Sequence, residues 1–131
     1  MDTSKRTRVI GHIFSLVLAA ALVVSAGLKI GRPVQALVDV LTVKLGFQDG
    51  AVLGIGLLEL TCGILYAIPR TAVLGTVLLT GYFGAATALH LRVGDSIVTP
   101  LVFGGLCWLG TYLREPRSRE LLPLVRAAPH S

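Results

Sequence analysis

Charged side chains are scarce in this chain of 131 residues: Asp, Glu, Lys and Arg make up 15% of it, against roughly 25% in soluble domains. With 53% hydrophobic residues and a mean hydropathy of +0.78, it lacks the polar surface that a domain in water needs. Cysteine is scarce too. Cys62 and Cys107 cannot form a disulfide framework, and neither lies in a C-x-x-C or zinc-ligand spacing. No linker is long enough to separate a second domain, so residues 1–131 are predicted to form one domain.

Long apolar runs make up most of the sequence. Runs of about 17–25 apolar residues match the hydrocarbon core of a bilayer, which is ~30 Å thick, at a rise of 1.5 Å per residue. Every charged residue except Glu59 lies outside the four runs, which cover about residues 9–28, 51–68, 71–91 and 97–113. The sequence therefore predicts an all-α membrane protein, an antiparallel bundle of four transmembrane helices.

A shorter amphipathic segment, residues 33–45, follows the first run. Its apolar residues recur at the i, i+3, i+4, i+7 spacing of one helical face. The segment is too short and too polar to span a membrane, which is typical of an interfacial helix, and Gly46 suits its C-terminal cap. The sequence thus predicts a short interfacial helix between helices 1 and 2, with an apolar face made of Val34, Leu37, Val38, Leu41 and Leu45.

The basic residues are distributed unequally between the two sides of the predicted bundle. Eight of the twelve Lys and Arg belong to the two termini and the turn between the second and third runs. Because basic residues concentrate on the cytoplasmic side, we expect both termini to be cytoplasmic, with residues 114–131 as a cytoplasmic tail. The bilayer, rather than nucleic acid, explains the net charge of +5.

A signal peptide is the rival interpretation of the first run. Basic residues precede it, and Val24-Ser25-Ala26 resembles a small-residue cleavage site. Against this interpretation, the run has about 20 apolar residues, whereas the core of a signal peptide has about 7–15.

Glu59 is the candidate functional residue, because a carboxylate near the middle of a span costs about 2.5–3.5 kcal/mol. It must carry a proton or face a cation. Lys29 and His90 lie in the outer halves of the first and third spans, with Arg92 at the outer rim. Two interpretations stay open: a group that only fixes helix packing, or a polar pocket in which Glu59, Lys29 and His90 handle protons as catalytic residues.

The other polar and small residues form one stripe on each span, and such stripes mostly mark helix packing in lipid. The candidates for ligand binding beside Glu59 come from these stripes, from the rim and from the close-contact patch at residues 81–85: Arg92, Thr87, Tyr66 and Tyr82. No metal site is predicted. Cys62 and Cys107 are expected to be inert small hydrophobes rather than a redox pair.

Several motifs from residue 51 onward are similar to those of one known family. They are GIGLLEL at 54–60, IPRT at 68–71 and LTGYFGAATALHLRVG at 79–94. The chain resembles the DoxX-like family of small four-helix membrane proteins over about residues 21–124. Ala85 departs from the family pattern, where a second glycine after Gly84 is more usual. The resemblance implies a four-helix membrane fold and a role in membrane redox or oxidative-stress systems or in the assembly of other membrane proteins, but it assigns no residue a quinone role. With this resemblance, we expect the protein in a bacterial inner (plasma) membrane.

Three hypotheses for the function follow. The leading one is an accessory subunit of a membrane redox or oxidative-stress system that binds a lipophilic molecule such as a quinone near Glu59. Its partner is then a membrane or soluble oxidoreductase, or a second copy of the chain, and no other cofactor is evident. The alternatives are a stand-alone membrane enzyme doing acid–base chemistry on a lipophilic substrate, and a non-catalytic assembly or scaffolding factor. Whether the protein is an enzyme stays open in the sequence.

Overall fold

The computed structural model of the chain describes residues 2–31 and 35–121, and every regular element in them is helical. The all-α prediction is therefore confirmed for this part of the chain. In order, the elements are α1 (Thr3–Gly31), α2 (Gln35–Asp39) with a π-helical turn (Val40–Lys44), α3 (Asp49–Ala67), α4 (Ala72–Arg92), α5 (Val98–Arg114) and α6 (Pro116–Leu121).

Three of the described helices are long and apolar enough to cross a membrane: Thr3–Gly31, Gly50–Ala67 and Ala72–Arg92. They correspond to the first three predicted spans. The fourth, α5, has 17 residues and is not among the three, so the prediction of four spans goes beyond what length and composition support.

Each long helix packs against two others. α1 contacts α3 and α5, and α4 contacts the same two helices. Short turns join α3 to α4 and α4 to α5, so these neighbours run antiparallel. We call the end where α1 begins and α5 finishes the Arg114 end, and the opposite end, where α1 finishes, the Lys29 end. The core between them consists of Leu18, Ala19, Leu22, Cys62, Tyr66, Leu79, Phe83 and Cys107.

Glycine brings α1 and α3 close together along one seam. A Cβ on Gly56 would lie 3.2 Å from the carbonyl oxygen of Ala26, and a Cβ on Gly63 would lie 3.3 Å from the Cβ of Leu22. Small residues let helix backbones approach in this way when no hydrophobic gain drives their association. The seam sets the distance between α1 and α3 on which the site depends.

The first helix extends beyond its predicted apolar run at both ends. It begins at Thr3, where the hydroxyl of Thr7 donates to the carbonyl of Thr3 at 2.9 Å. The helical pattern of backbone hydrogen bonds reaches this end, where the amide of Arg6 donates to the carbonyl of Asp2 at 3.1 Å. Hydropathy marks the apolar part of a helix and not its polar ends, which explains the difference.

We call residues 35–47 the strap. The sequence predicts a single helix over 33–45, and the structure has there an α-helix, Gln35–Asp39, that continues directly as a π-helix, Val40–Lys44. The helix passes from α to π form where the amide of Leu45 donates to the carbonyl of Val40 at 3.0 Å. Gly46 has φ +75°, and the amide of Phe47 donates to the carbonyl of Leu41 at 3.0 Å, which confirms the predicted cap.

The apolar face of the strap packs against the protein, because Val38 and Leu41 are buried. Val34 and the side chain of Leu37, also predicted on this face, lie outside the described residues. An ion pair of 2.7 Å between Lys44 Nζ and Asp95 Oδ1 ties the strap to the turn between α4 and α5. The strap therefore covers the Lys29 end, while its place at a membrane interface stays a prediction.

Candidate functional site

Lys29 and Glu59 form a buried ion pair across the seam between α1 and α3. Lys29 Nζ lies 2.5 Å from Glu59 Oε2, and the two residues are 8% and 3% exposed. The close approach of α1 and α3 at Gly56 allows this contact. A Cβ on Gly56 would lie only 3.1 Å from the Cβ of Lys29, so a larger residue there would move the two helices apart. Lys29 Nζ also donates to Ser25 Oγ at 2.8 Å. The structure thus contains the pairing expected from the single charge inside a span.

Two residues of α4 complete the polar groups around this pair. Tyr82 lines the same cavity as Glu59. His90 lies eight residues further toward the Lys29 end, about 12 Å along the helix axis. Its Nδ1 is buried and has no hydrogen-bond partner within the described part of the chain. A buried polar atom without a partner is uncommon in folded proteins, so His90 Nδ1 is available to a ligand.

A cavity of about 670 Å³ opens over the pair, enclosed by the four long helices and the strap. Its volume lies within the range of roughly 300–1,000 Å³ that is usual for small-molecule sites. Most of its lining is aliphatic or aromatic. The polar side chains that line it are Ser25, Lys29, Glu59, Tyr82, His90 and Thr99. A largely apolar space with a few convergent polar groups is the usual form of a small-molecule site.

The strap forms one wall of the cavity through Leu41, Leu45 and Phe47. This segment is not among the site residues predicted from the sequence. The apolar face of the segment was a usable signal, because buried Val38 and Leu41 show that this face needed a partner. An interfacial position and a place against the helices require the same amphipathic pattern, so the pattern alone does not distinguish them.

Three of the seven predicted site residues do not line the cavity: Tyr66, Thr87 and Arg92. Tyr66 lies seven residues beyond Glu59, about 10 Å toward the Arg114 end, and its hydroxyl donates to the carbonyl of Cys107 at 3.2 Å. The Thr87 hydroxyl donates to the carbonyl of Phe83 at 2.7 Å, within its own helix. Arg92 is exposed at the end of α4. Residues on one helical face point in the same direction but can lie at different positions along the helix axis. Tyr66 therefore shares a face with Glu59 and still belongs to another cluster.

That second cluster centres on Arg114, which was assigned to the cytoplasmic tail. Instead Arg114 is the last residue of α5 and is 4% exposed. Its guanidinium donates to the carbonyl of Tyr66 and lies 4.5 Å from the centroid of the Tyr66 ring. The guanidinium therefore gives a hydrogen-bond partner to a carbonyl in the last turn of α3, which has none within the helix. Its positive charge also interacts favourably with the negative end of the dipole of that helix. Of the predicted tail, residues 122–131 lie outside the described part.

Residues 13–110 match the DoxX-like family. This chain belongs to the DoxX-like family. Comparisons with curated proteins and with solved structures found no match. Together with its long apolar helices, the family identifies the chain as a membrane protein.

The part of the DoxX-like chain that matches the family contains the whole polar group of the cavity, from Ser25 on α1 to Thr99 on α5. Arg114 and α6 lie beyond it. The cavity and its polar pair therefore lie in the segment that defines the family, whereas the Arg114 contact closes the bundle at its other end.

Proposed function

We propose that this DoxX-like protein binds a lipophilic molecule such as a quinone in the cavity over Glu59, as an accessory subunit of a membrane redox or oxidative-stress system. The observation that carries the proposal is the buried Lys29–Glu59 pair at the edge of an apolar cavity of about 670 Å³. A pair needed only for packing is satisfied by a helix–helix contact and needs no adjoining space. Here the space exists, and the pair gives it a polar wall.

The charges of the pair favour an uncharged ligand. Lys29 and Glu59 cancel each other, so an ionic ligand would bring an unpaired charge into an apolar site at a large cost. The ammonium of Lys29 has three N–H donors, and Ser25 and Glu59 accept two of them. The third donor suits a carbonyl or hydroxyl oxygen, and His90 Nδ1 offers a further contact.

Proton handling supports a quinone in particular. Reduction of a quinone to its hydroquinone takes up two electrons and two protons. The ammonium of Lys29 and the ring of His90 face the same cavity as groups that can pass protons, and the carboxylate of Glu59 holds Lys29 in place. The electrons must come from a partner oxidoreductase, which is the reason for proposing an accessory subunit.

Thermal unfolding of the purified protein with benzoquinones and naphthoquinones tests this proposal. A ligand that binds the folded state alone raises the unfolding temperature, and the rise grows with the logarithm of the ligand concentration relative to Kd. The shift should be absent in the double variant Lys29→Met/Glu59→Gln, which removes both charges together, and present in the control Glu115→Gln, whose carboxylate lies outside the cavity. The absence of any shift in the wild-type protein, or an equal shift in the double variant, would refute the proposal.

A stand-alone enzyme is the second candidate, favoured by the presence of Glu59, His90 and Tyr82 around one cavity. Such groups can act as general acid and base. Turnover of a lipophilic substrate by the purified protein without a soluble partner would favour it over the accessory role. For an assembly factor, Glu59→Gln should change the pull-down of a partner while no small molecule binds.

We also propose that α5 is a fourth span, in a bacterial inner membrane with both termini in the cytoplasm. Its 17 residues measure about 26 Å, close to the thickness of the hydrocarbon core. Polar contacts with α4 in the second half of α5 support this position: Trp108 Nε1 donates to Thr80 Oγ1 at 2.8 Å, and Thr111 Oγ1 lies 2.6 Å from Thr76 Oγ1. Hydrogen bonds of this kind hold helices together in lipid.

A further inference from the structure

The wall of the cavity continues to the outer surface between α3 and α4. On α4 the lining runs from Phe83 and Tyr82 to Ala85 and Gly81, and the last two are exposed. On α3 it reaches Leu58, which is 53% exposed. The same cavity that borders the ion pair therefore has an outer part along this helix pair.

Small residues keep this outer part open. Gly81 and Ala85 are four residues apart, so they lie one turn from each other on the same face of α4. A Cβ on Gly81 would have no neighbouring atom within 4 Å, so a larger side chain would occupy open space there. Leu58, Gly81 and Ala85 define what we call the alkyl groove.

We propose that the ligand has one uncharged polar head and one long alkyl or prenyl chain, with the head against Lys29 and Glu59 and the chain in the alkyl groove. This inference rests on the proposed function and specifies its ligand. The groove is apolar, and it begins beside the polar wall, because Leu58 adjoins Glu59 and Gly81 adjoins Tyr82 in the lining of one cavity. The cavity holds about one drug-sized molecule, so a long chain has to continue outside it, and the groove leads outward.

The test compares two probes that share a head and differ in the chain: a methyl-substituted quinone and its decyl-substituted counterpart. Both are made with a benzoquinone and with a naphthoquinone head. Binding is measured by calorimetry in nanodiscs of one lipid composition, for the wild-type protein and for Gly81→Leu. The matched control is Gly84→Leu, because Gly84 is on the same helix, is exposed, has no atom within 4 Å of its Cβ position and does not line the cavity.

Gly81→Leu is expected to weaken binding of the decyl probe by about tenfold, the effect of forcing a ligand against an added side chain. Binding of the methyl probe should stay within about twofold, and Gly84→Leu should leave both probes within the same limit. If Gly81→Leu does not fold, Ala85→Leu makes the same test from the next turn of the groove.

Two results would overturn the inference while leaving the proposed function intact: equal weakening of both probes in Gly81→Leu, or no weakening of either. Equal weakening would assign Gly81 to the site of the head, and no weakening would show that the chain lies elsewhere. Failure of every probe to bind the wild-type protein would instead refute the proposed function, and this inference with it.

Discussion

Replacing Glu59 by glutamine should cost more stability than an ordinary substitution, because it leaves the ammonium of Lys29 buried without its counter-charge. Lys29 is 8% exposed and Glu59 is 3% exposed, so water cannot replace the lost partner. Ser25 Oγ, at 2.8 Å, remains as an acceptor but carries no charge. Breaking a buried pair from one side costs about 3–5 kcal/mol, and we expect this fall in the free energy of unfolding for Glu59→Gln and for Lys29→Met.

The double variant Lys29→Met/Glu59→Gln should recover most of that loss, since removal of both charges is often neutral or stabilising. We therefore expect a coupling energy of at least about 2 kcal/mol in the double-mutant cycle. The assay is reversible unfolding of the purified variants in mixed detergent micelles. A double variant whose loss equals the sum of the single losses would refute the reasoning, because it would show that the two side chains do not interact.

The ion pair of the strap is the control for this cycle. Lys44 Nζ and Asp95 Oδ1 are 2.7 Å apart, a distance similar to that of the buried pair, but their side chains are 46% and 37% exposed. Pairs open to solvent contribute about 0–1 kcal/mol. The cycle of Lys44→Met and Asp95→Asn should therefore show a coupling energy below about 1 kcal/mol. Equal coupling in the two cycles would mean that burial does not set the strength of the inner pair.

Three further predictions concern the packing of the helices and the side of the membrane on which the C-terminus lies. Gly56→Ala should lower the free energy of unfolding by about 1–3 kcal/mol, because the new Cβ would lie 2.9 Å from Ile30 Cγ1. The control Gly54→Ala should not lower it, because no atom lies within 4 Å of its Cβ position. Equal losses in the two variants would show that close packing at Gly56 does not stabilise the contact between α1 and α3. Arg114→Lys should cost about 1.5–3 kcal/mol in the same assay, since lysine lacks the planar group that lies over the tyrosine ring, while exposed Arg117→Lys should cost little. A C-terminal green fluorescent protein fusion should fluoresce and a C-terminal alkaline phosphatase fusion should be inactive; the reverse would place the C-terminus outside the cytoplasm.

From the sequence, Glu59 has to carry a proton or face a cation, and in the structure it faces a cation, Lys29. A single charge inside apolar runs needs a partner, and the direction of the helices limits the basic residues that can reach Glu59. His90 and Tyr82, two of the other candidates, line the same cavity, and their roles there stay a prediction. Tyr66 does not line the cavity. It lies on the same face of α3 as Glu59 but about 10 Å further along the helix, where this face contacts a different group of residues.

The strap and Arg114 show what local patterns cannot provide. The apolar face of residues 35–47 is visible in the sequence, but its partner is a surface assembled from several helices. Arg114 follows an apolar run, as a basic residue at a membrane boundary does, and its burial depends on the last turn of α3, 48 residues earlier in the chain. Both features are long-range contacts, and no spacing within one element encodes them.

The packing of α3 differs on its two sides, and this difference links the fold to the proposed activity. Toward α1, Gly56 and Gly63 allow close backbone contact, which fixes the distance over which Lys29 reaches Glu59. Toward α4, the cavity separates part of the two helices and continues to exposed Leu58 and Gly81. The seam holds the charged pair in place, while the neighbouring gap leaves room for the proposed ligand. A substitution that loosens the seam should therefore disturb the head of the ligand, and one that fills the gap should disturb only its chain.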